Sequence, residues 1–311
     1  MELVFVTNNP NKLNEIQSLV SVFNELDYST SFFHGAPNGS MGFLGLSNIL
    51  GFDNYFGKNE FNDNSLYDGY WGIWDEPFLG FMKDELDKFK EPFFSTFFSL
   101  TSHEPFKVPK EYKDVFPRGE VDMHQVIGYS DNALRTFFNS SKSEPWFKNT
   151  LFIITADHCN QFWYPFYREP INRFAIPIIF YHPNNSFRGE NSELSQQLDI
   201  FPSIIDLVGY NKPINSWGRS LFSNKSDQPF SIHFSGTVYH FSMKQSVYLT
   251  GLVYLGWLIG APFIGAISDY FNLRTLPIIL GAIVAVVCSS LLLLVTDLSI
   301  IEVAVLLFLM G

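Results

Sequence analysis

The C-terminal part of the chain limits its architecture most. From about Val247 onward charged residues almost vanish. Two apolar runs, Val247 to Ile267 and Leu276 to Thr296, are each about 20 residues long, enough for a helix to cross the hydrocarbon core of a bilayer. A third begins at Ile300 and reaches Gly311. Buried soluble helices seldom come as two such runs about ten residues apart, so two to three transmembrane α-helices are predicted over 242–311. Glu302 within the third run would prefer a protein interior to lipid.

The 311 residues before and within this region are 46% hydrophobic and 17% aromatic, ample for a core. A formal charge of −11 and the lack of a basic patch argue against a nucleic-acid partner. Cys159 and Cys288 lie in regions of different composition, so no bridge between them is expected. The start, "MELVFVTNNPNKLNEI", has neither the basic opening nor the apolar stretch of a signal peptide.

Residues from about 18 to 240 read as α/β. Strands are predicted at "STSFFHG", "PFFSTFFSL", "TLFIITADH" and "FAIPIIFYHP". Helices are predicted at "DEPFLGFMKDELDKF", "MHQVIGYSDNALRTFFNSS" and "SELSQQLDIFPSIIDLVG". The alternation favours a largely parallel sheet covered on both faces. Ligands then sit beyond the carboxyl ends of the strands. One strand ends in Asp157-His158 and another leads into Ser102-His103. Neighbours on a straight strand point to opposite faces, but a bend past the strand end lets a carboxylate and an imidazole share one cation. That oxygen and nitrogen set suits Mn²⁺ or Zn²⁺. On spacing alone, Asp157 as a local cap and His158 as a turn residue is the alternative.

The ordered stations "STSFFHGAPNGSMGF", "GFDNYFGKNEF", "DGYWGIWDEPF", "FFSLTSHEPFKVP", "IGYSDNALRTFF", "NTLFIITADHC", "RFAIPIIFYHP" and "QQLDIFPSIIDLVGY" resemble the sulfatase superfamily, and within it the lipoteichoic acid synthase-like branch. The resemblance implies an alkaline phosphatase-like α/β fold over 17–241, with Asp157 and His158 as metal ligands. It makes His103 a contact to the substrate phosphate or sulfate, and Trp71 a substrate-pocket residue. His34 is either a substrate contact or a structural histidine near a strand end. The implied chemistry is displacement at phosphorus or sulfur by a hydroxyl or formylglycine nucleophile, with a divalent cation stabilising charge. The stretch before "FFHG" is too short for the family's first strand, acidic ligand and nucleophile, so the nucleophile is expected to be absent and Mn²⁺ or a similar ion weakly held.

Residues 1–16 resemble instead the opening of inosine-triphosphate pyrophosphatases, through Thr7, Asn9, Lys12 and Glu15. A strand running into such a turn at a helix start suits a triphosphate. "GAPFIGAISDYFNLRTLPIILG" resembles a loop of major facilitator superfamily transporters, through Gly265, Asp269 and Arg274. The whole therefore reads as a joined chain of three pieces. The expectation is a membrane-tethered hydrolase or phosphotransferase on phosphate or sulfate esters, impaired by its missing part. It would sit multi-pass in a bacterial inner membrane with the α/β body outside, with the bilayer as partner and no specific protein partner. A transport component and a non-catalytic fusion product are the alternatives.

Overall fold

The computed structural model describes residues 17–159, 161–169, 172–184, 187–223, 229–235 and 238–243, and from 252 to 310 all but 253, 257, 263, 265–267, 269, 271–274 and 295–299. The chain divides into two compact units, Met1–Asn191 with Gln197–Ser223, and Ser192–Gln196 with Asn224–Gly311.

In the first unit, α1 (Leu19–Glu25) starts at Ser18, whose side chain accepts from the Ser21 backbone N–H while the Ser21 side chain returns the bond. Such a capping box satisfies donors the first helical turn leaves open. β1 (Ser29–Phe33) follows, between β2 (Asn54–Phe56) and β3 (Phe93–Phe97), and all pair in parallel. Flanked on both edges, β1 buries residues of both faces, Thr30, Ser31 and Phe33, as the inner strand of a parallel sheet should. Cross-strand pairs fix its register. Ser31 and Ser95 hydroxyls meet at 2.7 Å, and the Phe33 ring stacks on Phe56 with centroids 4.6 Å apart. Asp53 accepts from both the amide and the hydroxyl of Thr30.

Between these strands lie α2 (Phe43–Leu50) and the short α3 (Lys58–Phe61). After β2 comes α4 (Asp75–Leu86), and after β3 comes α5 (Met123–Ser141). α5 buries Val126, Tyr129, Ala133 and Phe137, spaced three and four apart, so one stripe faces inward. That stripe and α4 enclose an aromatic core with Phe33, Phe78, Trp146 and Phe147. β4 (Phe152–Thr155) packs through Phe152 on Phe138 and Phe147, and β3 through Phe93 on Trp146.

All four sequence-predicted strands form, and the Met123–Ser141 helix has the predicted bounds. The single, largely parallel sheet does not form among the described residues. β4 pairs antiparallel with β5 (Ile178–Tyr181) in a separate sheet. The predicted helix over 192–209 is shorter. After α6 (Pro165–Arg168), α7 runs only Ile200–Leu207, behind a 3₁₀ turn at Gln197–Asp199. Pro202 accounts for this, since without an N–H it is tolerated only in a first helical turn.

In the second unit, β6 (Phe230–Ser235) and β7 (Val238–Met243) pair antiparallel, a hairpin the sequence did not suggest. Helices α8 (Thr275–Leu294) and α9 (Ile300–Met310) lie against each other. The expected membrane spans are not seen as such: among the described residues no helix is long and apolar enough to cross a membrane. Glu302 is exposed rather than interior.

Candidate active site

The segment Trp71–Asp75 organises the ends of β1 and β3. Ile73 N–H donates to the Gly35 carbonyl at 2.9 Å, just past β1. Gly72 makes this approach possible, because a Cβ there would stand 2.4 Å from Gly35 O and 2.5 Å from Leu100 Cδ1. Ahead of it, Asp68 Oδ1 accepts the amides of Tyr70, Trp71 and Gly72, an Asx-type turn that fixes the entry. At the other end, the Asp75 carboxylate accepts from the amides of Leu100, at 2.9 Å, and Thr101, at 3.1 Å. Thr101 Oγ1 in turn accepts from the Asp75 amide at 3.0 Å, capping α4 from another segment. Burial pushes the Asp75 carboxyl up to about 6, against the lowering effect of the Leu100 and Thr101 bonds.

His103 lies two residues beyond Thr101, exposed, in a turn closed by its own amide on Leu100 O at 3.1 Å. Its ring lies 4.2 Å from the Trp71 ring between centroids. The Glu104 carbonyl accepts the Trp71 indole N–H and lies 3.2 Å from His103 Nδ1. A carbonyl can only accept, so Nδ1 carries the proton and Nε2 presents a lone pair. Lys107 Nζ sits over the neighbouring Tyr70 ring at 4.3 Å, bringing a cation to the same surface.

His34, at the end of β1, is wholly buried. Nδ1 is 3.1 Å from the Phe98 carbonyl and the ring is edge-on to Phe43 at 4.7 Å. Burial pushes its pKa below the ordinary histidine value, partly offset by the Phe98 bond. Nε2 has no hydrogen-bond partner among the described residues. A neutral ring walled by aromatic side chains is what this geometry provides, not a group facing solvent.

Asp157 and His158 follow β4 and are half exposed. The bend expected there is present: Asp157 Oδ1 accepts the His158 amide at 2.8 Å, and Oδ2 lies 3.4 Å from His158 Nε2. His158 Nδ1 is 3.1 Å from the Cys159 carbonyl, which leaves Nε2 as the metal-competent nitrogen. The Gln197 Nε2 amide holds the strand end by donating to the carbonyls of Ala156, at 2.7 Å, and Asp157, at 3.2 Å. Cys159 is tied back by its amide and its thiol to the Arg173 carbonyl, and burial pushes the thiol pKa up.

The converging Oδ2 and Nε2 fit two positions of a divalent-cation site. No group of three or more His, Cys, Asp or Glu that could complete one is found among the described residues. No described hydrogen bond, ion pair or ring contact joins Asp157 and His158 to the Trp71–His103 pair. Thr7, Asn9, Lys12 and Glu15, and Gly265, Asp269 and Arg274, lie outside the described residues. Sequence reasoning missed Asp75 and the Glu104 carbonyl. The only local signal for Asp75 was an acidic residue opening the helical pattern of "DEPFLGF".

The family model Sulfatase matches residues 1–210, a span that includes the first sixteen residues. Lipoteichoic acid synthase-like YvgJ of Bacillus subtilis is 22% identical over 245 residues, 72% of this chain and 40% of that protein. Lipoteichoic acid synthase of Staphylococcus aureus is 26% identical over 228 residues, 64% of this chain and 34% of that protein. The chain thus spans about two fifths or less of the length of these relatives. A crystal structure of an alkaline phosphatase superfamily protein from Vibrio parahaemolyticus aligns with a TM-score of 0.61 at 21% identity, covering 75% of this chain and 58% of that one. The lipoteichoic acid synthase LtaP from Listeria monocytogenes aligns with a TM-score of 0.56 at 19% identity, covering 70% and 58%. These likenesses show the alkaline phosphatase-type α/β fold.

Proposed function

Since the chain belongs to the sulfatase family, we propose that it is a metal-dependent hydrolase or phosphotransferase acting on phosphate or sulfate esters. The observation that carries this reading is the convergence of Asp157 Oδ2 and His158 Nε2 at 3.4 Å just past β4. In this reading Asp157 and His158 hold a divalent cation, which when bound supplies positive charge for the oxygens of the transferring group. The Cys159 carbonyl keeps His158 in the tautomer that leaves Nε2 free. His103 is exposed, and its Nε2 is the nitrogen that the Glu104 carbonyl does not engage. It accepts a hydrogen bond there when neutral and donates one to an ester oxyanion when protonated. Trp71 and the Glu104 carbonyl hold that ring at a fixed angle.

The lipoteichoic acid synthase relatives favour a phosphate ester over a sulfate ester. Attachment to a bilayer through the C-terminal region is part of the proposal. It is supported by the exposed apolar side chains of Ile279, Ile283, Val286, Val287 and Leu291 on α8, which water solvates poorly. Turnover of p-nitrophenyl phosphate and p-nitrophenyl sulfate by the full chain, with Mn²⁺ and with chelator, tests the reading. Mn²⁺-dependent release from the phosphate ester, slow because no nucleophile is assigned among the described residues, and lost in His103→Ala, is expected. Release from neither ester would overturn it.

A further inference from the structure

We propose that Asp75 is a positioning residue that sets the register of His103 through Leu100 and Thr101. This rests on the reading that His103 contacts the ester. The geometry is specific. Leu100 and Thr101 are buried, and both lie past the last residue of β3 paired with β1, where their amides donate to the Asp75 carboxylate. Without the Asp75 carboxylate, two buried N–H donors would be left open, and proteins rarely tolerate that. The bond in the reverse direction, Asp75 N–H to Thr101 Oγ1, makes the clamp reciprocal. It joins the first residue of α4 to the turn that carries His103.

The same five-residue segment grips that turn a second time. Trp71 lies four residues before Asp75 and holds Glu104, the residue after His103, through its indole N–H. His103 is therefore held on both sides by one rigid piece, with Asp75 before it and Trp71 after it. Gly72 and Ile73 seat that piece against Gly35. A carboxylate can accept both amides at once, whereas a carboxamide has one oxygen and presents N–H groups to the second donor. Asp75→Asn therefore keeps the shape of the side chain and breaks half of the clamp. Asp75 touches no reacting group, so its effect should fall on the orientation of His103 and not on binding at Asp157 and His158.

The test uses the full chain with ¹⁵N-labelled histidine, the His103 ring signals being assigned with His103→Gln. Asp75→Asn is expected to shift the His103 ring signals and to leave those of His158 in place. It should lower kcat for the phosphate ester about tenfold with KM changed less than twofold, as expected when an interaction made in the transition state is lost. Thr101→Val removes what the Thr101 hydroxyl gives Asp75, the reverse bond included, and keeps both amide bonds to the carboxylate, so it should move the same signals by less, which keeps the test open if Asp75→Asn does not fold. His103 signals unmoved in a folded Asp75→Asn or Thr101→Val protein would overturn the proposal. If the wild-type chain turns over no ester, the enzymatic reading falls, and the ring signals still decide whether Asp75 places His103.

Discussion

Trp71 and His103 meet ring against ring at 4.2 Å, and the single carbonyl of Glu104 lies within hydrogen-bond reach of both. The imidazole of this exposed residue is thereby restricted in rotation and in tautomer. Removing the indole N–H should loosen it without emptying the space. Trp71→Phe gives up one neutral hydrogen bond, about 1 kcal/mol. The expected result is a roughly fivefold lower kcat with the melting temperature nearly unchanged. Steady-state kinetics on the phosphate ester and a thermal melt check it.

Asp75 predicts how stability depends on pH. Its folded value is raised to about 6 from the ordinary 3.8, so its stabilising contribution is complete below about 3.8 and is lost as pH rises through about 6. The shift is worth about 3 kcal/mol across that window. His34 works in the opposite sense: its value is lowered, so it favours the folded state above the ordinary histidine value and opposes it as pH falls. A difference between proteins isolates the carboxylate. The wild-type chain should gain stability relative to Asp75→Asn when pH is lowered from 7.5 to 5, in denaturant melts at the two pH values. An unchanged difference would show that Asp75 does not titrate there.

Gly72 faces backbone that cannot give way. Its substitution by Ala places a Cβ 2.4 Å from Gly35 O. Overpacking of this kind costs about 1–3 kcal/mol. Gly72→Ala should lower the unfolding free energy by that amount, read from denaturant melts, and disturb His103, because the whole Trp71–Asp75 piece must shift.

Phe78 is 1% exposed and has aromatic neighbours in Phe61, Phe81 and Phe97. Phe78→Ala leaves a cavity between α4 and β3, and a loss of about 3–5 kcal/mol is expected in equilibrium unfolding. A much smaller loss would mean that the aromatic core repacks.

The elements were legible where local pattern decides them. The segment Met123–Ser141 reads as a helix, and the runs around Phe33, Phe97 and Ile154 as strands. Pairing was not legible, because it depends on residues far apart. Nothing near Phe152 says that its partner is Tyr181, running antiparallel. The same holds for the site. Asp157 and His158 are adjacent, so their meeting follows from one bend. Asp75 and Thr101 are 26 positions apart, and Trp71 and Glu104 are 33 apart. Those bonds exist only once α4 has docked on the end of β3. In sequence His34 reads either as a substrate contact, by resemblance, or as a structural histidine near a strand end. Its burial depends on Phe43 and Phe98, which arrive from other segments.

Mn²⁺ titration of the full chain, followed by the electron paramagnetic resonance signal of the free ion, shows whether Asp157 and His158 hold a cation. Saturable uptake by the wild-type chain and its loss in Asp157→Ala are expected. Uptake that is unchanged in Asp157→Ala, or no uptake by the wild-type chain, would contradict the proposed cation site.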